Sequence, residues 1–239
     1  MAQDPQHVLR TFDQELARLR DLISEMGGIV EDQVATAAHA LLDRDTAAAA
    51  RVIEEDKRVD ALEHEVEQLV IRTLALRQPM AGDLRQVVSA LKITGDLERI
   101  GDYAANVAKR SVVLTQFSLP YSLAGLGHMA RLVQENLKTI IDAVGEGDAE
   151  KASQVWRSDL AIDDIYNGLF RELITYMMED PRNITPCTHL LFIAKNLERI
   201  GDHATNIAET LHYEVTGSAL TETRPKGDTS AYAVVRPGA

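Results

Sequence analysis

Cysteine is nearly absent: Cys187 is the single one in 239 residues, which excludes an internal disulfide framework. Aromatic residues make up only 5% of the chain, and no Asn-Gly or Asp-Gly turn stands between alternating apolar runs, so strand signals are scarce. Positive charge is in deficit, with 25 Lys and Arg against 37 Asp and Glu and a formal net charge of −12. A nucleic-acid partner is therefore not expected, because a phosphate backbone is held by a basic stripe. No apolar run reaches the roughly 18 residues of a membrane span, so direct membrane insertion is not expected. The opening Met1-Ala-Gln-Asp-Pro lacks the basic and apolar regions of a signal peptide, and the expected location is the cytoplasm.

What is present is a chain rich in Ala, Leu, Glu and Arg, 45% hydrophobic, with apolar residues spaced by three and four between sparse prolines. That spacing predicts an all-α fold. Breaks at Asp43-Arg44-Asp45, Gln78-Pro79, Leu119-Pro120, Gly145-Glu146-Gly147 and Pro181 to Pro186 divide it into six long helices. Short connections between long helices favour antiparallel bundles. From Gly217 the composition turns to Gly, Ser, Thr, Pro and Lys, and residues 217–239 read as a disordered tail.

The two halves repeat. Leu91-Lys-Ile-Thr-Gly-Asp-Leu-Glu-Arg-Ile-Gly-Asp matches Leu191-Phe-Ile-Ala-Lys-Asn-Leu-Glu-Arg-Ile-Gly-Asp, with Leu-Glu-Arg-Ile-Gly-Asp intact. Upstream, Asp56 and Asp60 face Asp159 and Asp163, and Asp45 faces Asp148. The reading is two pseudo-symmetric antiparallel three-helix bundles, 1–118 and 119–216.

Each repeat carries acids four residues apart: Asp56 with Asp60 and Glu98 with Asp102, then Asp159 with Asp163 and Glu198 with Asp202. Residues i and i+4 share a helix face, and like charges there cost about 0.2–0.5 kcal/mol, a penalty that a bound cation removes. On the third helix Ile93, Leu97, Ile100, Ala104 and Val107 form the apolar stripe, which points Glu98 and Asp102 outward with Asn106 continuing the row. The sixth helix repeats this, with Ile193, Leu197, Ile200, Ala204 and Ile207 inside and Glu198, Asp202 and Asn206 outside. On the second helix Val52, Val59, Leu62 and Val66 lie inside, flanked by Asp56, Asp60, Glu63 and Glu67. Neighbouring rows of this kind suit hard cations held by oxygen, with Mg²⁺, Mn²⁺, Ca²⁺ or iron as candidates and Zn²⁺ admitted. A solvated acidic face that confers only solubility is the competing account.

The remaining polar residues invite plainer readings. His64 is a surface histidine, Arg99 and Arg199 pair within their own helices, Gly101 and Gly201 allow close helix packing, and Cys187 is structural. Cys187 has no paired catalytic setting. Glu209-Thr-Leu-His212 is the one Glu-x-x-His of the kind used by ferritin-like di-metal proteins, and its counterpart is Lys109-Arg-Ser-Val112.

With both Leu-Glu-Arg-Ile-Gly-Asp motifs and both Asp-x-x-x-Asp segments in order, the chain resembles the PhoU family of phosphate-uptake regulators over residues 8 to 215. The resemblance implies two pseudo-symmetric three-helix bundles. It implies a negative regulator of phosphate uptake and of the phosphate-starvation response, without catalytic chemistry. The implied partners are the cytoplasmic side of a phosphate ABC transporter and a sensor histidine kinase, with self-association into a homodimer open. The implied metal ligands are Asp56, Asp60, Glu98 and Asp102 in the first bundle and Asp159, Asp163, Glu198 and Asp202 in the second. Glu63 and Glu67 face Tyr166 and Phe170 in the other half, so the two sites are expected to differ.

Overall fold

The computed structural model describes residues 5–119 and 122–220, with side chains from residue 11. Among the described residues there are six α-helices and no strand: α1 Pro5–Leu42, α2 Thr46–Arg77, α3 Ala81–Leu114, α4 Ala124–Glu146, α5 Ala149–Glu179 and α6 Ile184–Thr216. A 3₁₀ turn, Pro181–Asn183, precedes α6. The tail reading covers residues 217–239, of which 221–239 lie outside the described residues.

Local chemistry sets the ends. Asp45 caps α2 by accepting from the amides of Ala47 and Ala48 at 2.9 and 3.0 Å. Asp148 caps α5 in the same way through Glu150 and Lys151. The residue before each cap has a left-handed backbone, Arg44 at φ 59 and Gly147 at φ 65. Such a conformation costs an ordinary side chain strain that glycine avoids. Gln78 ends α2 in the same conformation, just ahead of Pro79.

Helices α1, α2 and α3 pack as one bundle and α4, α5 and α6 as another, joined along α3 against α6 and α1 against α4. The antiparallel sense of α1 and α2 shows in ion pairs whose numbers run in opposite directions, Arg18 with Glu65, Arg58 with Glu25 and Arg77 with Glu15. Across the junction α6 runs against α3: Arg85 near the start of α3 reaches the Glu214 carbonyl, and Arg110 near its end lies 4.2 Å over the Phe192 ring. The apolar stripes read from sequence are all buried, including Val52, Val59, Ile93, Leu97, Ile193 and Leu197. At about 1.5–3 kcal/mol for each fully buried Leu, Ile or Val, these stripes dominate the favourable side of folding.

Candidate metal centres

In the first bundle α2 and α3 bring their acidic rows together. Burial holds the Asp56 carboxyl above the ordinary carboxylate range, and the charges of Asp102 and Asp60 push the same way, while Lys109 and the Gln33 amide oppose them. Glu98 is raised likewise, by burial first and then by Asp102, Glu63 and Asp60. Asp60 and Asp102 are exposed, and Asp56 and Glu98 are half-buried. The surface face expected from helix periodicity is present here.

Beneath this face lies a residue that sequence reasoning missed. Gln33 on α1 is fully buried, and its amide comes close enough to Asp56 to favour that carboxylate without either of its atoms reaching full hydrogen-bond geometry. A buried amide left in that state costs on the order of 1–3 kcal/mol. A Cβ added at Gly101 would stand 3.1 Å from Gln33 Oε1 and 3.4 Å from Asp56 Oδ1. Glycine at 101 thus lets α3 close over both groups, as the motif's Gly suggested. Gly95, six residues earlier, leaves more room beside Glu63, whose Oε1 is 4.0 Å from the position of a Cβ there.

The second bundle departs from the expected outward face. Asp159, Asp163 and Glu198 are buried at 2%, 4% and 4% exposure, and only Asp202 is half-buried. For Glu198 the partner is Lys195, which occupies the place of Gly95. Its ammonium donates to Glu198 Oε1 at 2.7 Å and lies 4.9 Å from the centre of the Tyr166 ring, which replaces Glu63. An internal cation therefore neutralises part of this cluster and allows it to be buried. Gly201 packs as closely as its counterpart, with Ile162 Cδ1 3.0 Å from the position of a Cβ.

Among the described residues no three His, Cys, Asp or Glu side chains form a ready-made metal cage. An ion at the first face has to draw exposed Asp60 and Asp102 inward, and a strained rotamer costs about 0.5–1.5 kcal/mol. The donor set nevertheless fits a hard cation there. It is all oxygen, burial and neighbouring carboxylates raise Asp56 and Glu98, and the Gln33 amide lies against Asp56.

The bystanders resolve individually. His64 is exposed and its Nδ1 lies 3.1 Å from the Asp60 carbonyl, one turn back on its own helix. Arg199 does not pair within its helix as expected. It crosses the junction to lie 5.5 Å over the Tyr103 ring, because α3 places that aromatic face within its reach. His203, which replaces Tyr103 in the repeat, pairs with Asp96 of the other bundle at 2.7 Å. Glu209 of the Glu-x-x-His segment accepts the indole N–H of Trp156 at 2.9 Å. Cys187 is buried.

A duplicated three-helix unit with carboxylates at matched places on α2, α3, α5 and α6 defines a two-repeat helical-bundle protein. The PhoU domain matches residues 23–111 and 126–211, and the chain belongs to that family. It is 50% identical over 223 residues to a phosphate-specific transport system accessory protein PhoU homolog of Rhizobium meliloti (strain 1021), covering 93% of this chain and 94% of the relative. A homolog so described in Caulobacter vibrioides (strain NA1000 / CB15N) is also 50% identical, over 93% of this chain and 97% of its own. The crystal structure of PhoU from Pseudomonas aeruginosa superposes with a TM-score of 0.84 at 41% identity, covering 87% of this chain and all 100% of that one. The phosphate transport system regulatory protein PhoU from Streptococcus pneumoniae gives 0.80 at 32% identity, over 88% of this chain and 100% of that one. Among the described residues no helix is long and apolar enough to cross a membrane.

Proposed function

We propose that the chain is a cytoplasmic negative regulator of phosphate uptake and of the phosphate-starvation response. It acts by contact with the cytoplasmic face of a phosphate ABC transporter and with a sensor histidine kinase, and has no catalytic step of its own. The repeat units 1–118 and 119–216 supply two similar but unequal faces for these contacts. Membership of a family whose relatives are phosphate transport accessory proteins is the observation that carries this reading. Deleting the gene raises phosphate-responsive reporter expression in phosphate-replete cells. Unchanged expression refutes the regulatory role.

The same reading includes divalent or ferric ion binding at Asp56, Asp60, Glu98 and Asp102, supported by the Asp56 and Glu98 carboxyls, each raised by burial first and then by neighbouring carboxylates, and by the Gln33 amide beneath them. An ion there neutralises the repelling carboxylates and ties α2 to α3. At Asp159, Asp163, Glu198 and Asp202 an ion must first displace Lys195, so that set binds more weakly. Calorimetric titration with Mg²⁺, Mn²⁺ and Fe³⁺ separates the two: Asp102→Ala removes the tighter event and Asp202→Ala only the weaker. Titrations of both variants that match wild type refute ion binding.

A further inference from the structure

The apolar stripes that face inward build the core, yet a second apolar set faces out. Ile71, Leu76, Met80, Leu84, Val88 and Leu91, all within residues 71–91, are 38% to 80% exposed. Single exposed apolar side chains are ordinary, whereas several gathered on one surface mark an interaction site. On α3, Leu84, Val88 and Leu91 recur at i, i+4 and i+7 and form one row, which Gly95, Glu98 and Asp102 continue along the same side of the helix.

The register of α2 against α3 widens this row into a face. A Cβ at Gly101 would meet Asp56 and one at Gly95 would meet Glu63, so in the antiparallel pair Leu91 stands opposite Glu67, and Val88 and Leu84 stand opposite Ile71 and Leu74. Two zones result. Towards the α2–α3 turn the face is apolar, and beyond Leu91 it carries Glu67, Glu63, Asp60, Glu98 and Asp102. Among the described residues none of these five carboxylates forms an ion pair, and Arg99 opposes Glu98 only at longer range. The second bundle lacks the arrangement: Thr188 stands for Val88, Lys195 for Gly95, and Tyr166 and Phe170 for Glu63 and Glu67. The duplicated packing does not require it.

We propose that this face of α2 and α3 docks a basic amphipathic helix of a partner protein. Apolar residues of that helix at i, i+3, i+4 and i+7 lie over Ile71, Leu74, Leu84, Val88 and Leu91. Its Lys or Arg residues, further along the same side, lie over Glu63, Glu67 and Glu98, where opposite charge fixes direction and register. Leu84 to Leu91 and Leu91 to Glu98 are seven residues each. At ~1.5 Å per residue each zone is about 10 Å long, which a helix of about 18 residues covers in full. The added helix makes a four-helix arrangement of the first bundle. An anionic lipid surface fits poorly, because it would meet the adjoining carboxylates with like charge. The face serves the regulatory contacts proposed above, and the partner's role in the cell rests on that reading, which gene deletion decides independently of peptide binding.

Fluorescence anisotropy of a labelled synthetic peptide tests the docking on the full chain, in EDTA so that ion binding does not enter. The probe is a helix of about 18 residues with Leu at i, i+3, i+4 and i+7 and Lys at i+11, i+14 and i+15, the rest Ala and Gln. Saturable binding is expected, weakened at least about tenfold by Val88→Asp and at least about fivefold by Glu63→Lys combined with Glu67→Lys. A peptide with Glu in place of Lys reverses the order of wild type and the charge variant. Leu84→Gln, a milder change, weakens binding in the same direction should Val88→Asp fail to fold. Equal binding by wild type and these apolar variants, or by a peptide of the same composition with Leu and Lys on opposite sides, overturns the proposal. So does absence of binding, in which case co-sedimentation with phosphatidylglycerol vesicles, or self-association lost in Val88→Asp, assigns the face to lipid or to a second copy.

Discussion

One residue decides the character of each carboxylate cluster. Lys195 lies at 31% side-chain exposure against Glu198 at 5%, so an ammonium is built into the second bundle where the first has Gly95 and open space. The exchange is reciprocal and testable. Gly95→Lys places a tethered cation beside Glu63 and abolishes the tighter ion-binding event, while replacing a mid-helix glycine raises stability by about 0.5–1 kcal/mol. Lys195→Met leaves the Glu198 carboxylate without its ammonium, costs about 1–3 kcal/mol in metal-free buffer and recovers stability when Mn²⁺ is added. Melts with and without Mn²⁺ that show no such difference would remove Lys195 from this role. Glu214 gives a residue-scale prediction in pH. Burial raises its carboxyl above the ordinary Glu range, with Ser89 and Arg20 opposing. The folded chain thus holds this proton more tightly than the unfolded chain, and the associated stability is lost as pH rises through the folded value. Glu214→Gln keeps the neutral state, so its melting temperature exceeds that of wild type by a margin that widens as pH climbs out of the carboxylate range. A margin independent of pH contradicts the assignment.

Helix ends and stripes were legible because they are local. An Asp before an apolar periodic run announces an N-cap, and residues three and four apart share a face whatever the rest of the chain does. The same locality explains why Asp102 is exposed and Glu98 partly so, as periodicity predicts, whereas Glu198 is buried. Periodicity places a side chain around a helix but cannot show that Lys195 and Tyr166 from a neighbouring helix cover it. Gln33, a polar residue in a helical pattern, carried no signal of burial, and the Asp96–His203 pair joins residues 107 positions apart. At the level of the element, Asp45→Ala and Asp148→Ala should each destabilise the chain by about 0.5–2 kcal/mol by leaving two amides at a helix start unpaired. The two losses add, because the caps belong to different bundles and share no partner. Chemical denaturation of the single and double variants measures this, and a clearly sub-additive double variant would show that the turns communicate.

The whole molecule is two similar bundles whose junction is apolar. Ile93 and Leu97 of α3 and Ile207 and Leu211 of α6 line one cavity there, each no more than 2% exposed. The duplication was readable because an intact hexapeptide repeats, whereas the junction depends on which stripe residues of one half meet the other, which no single helix records. Separating the bundles would expose those four side chains, on the order of 6–12 kcal/mol of burial, as large as the total stability of many domains. The polar links across the same junction, Asp96 with His203 and Arg110 over Phe192, are smaller and lock orientation. Neither bundle should therefore persist alone, despite the repeat. Trp156, the single tryptophan, sits in α5 and reports the second bundle, while far-ultraviolet dichroism reports all six helices. The two signals should follow one coincident transition in denaturant, and adding an aspartate at Leu97 should split it, because a buried unpaired charge at the junction outweighs the remaining contacts. A wild-type protein whose fluorescence changes ahead of its dichroism would mean that the junction is weaker than its buried area implies.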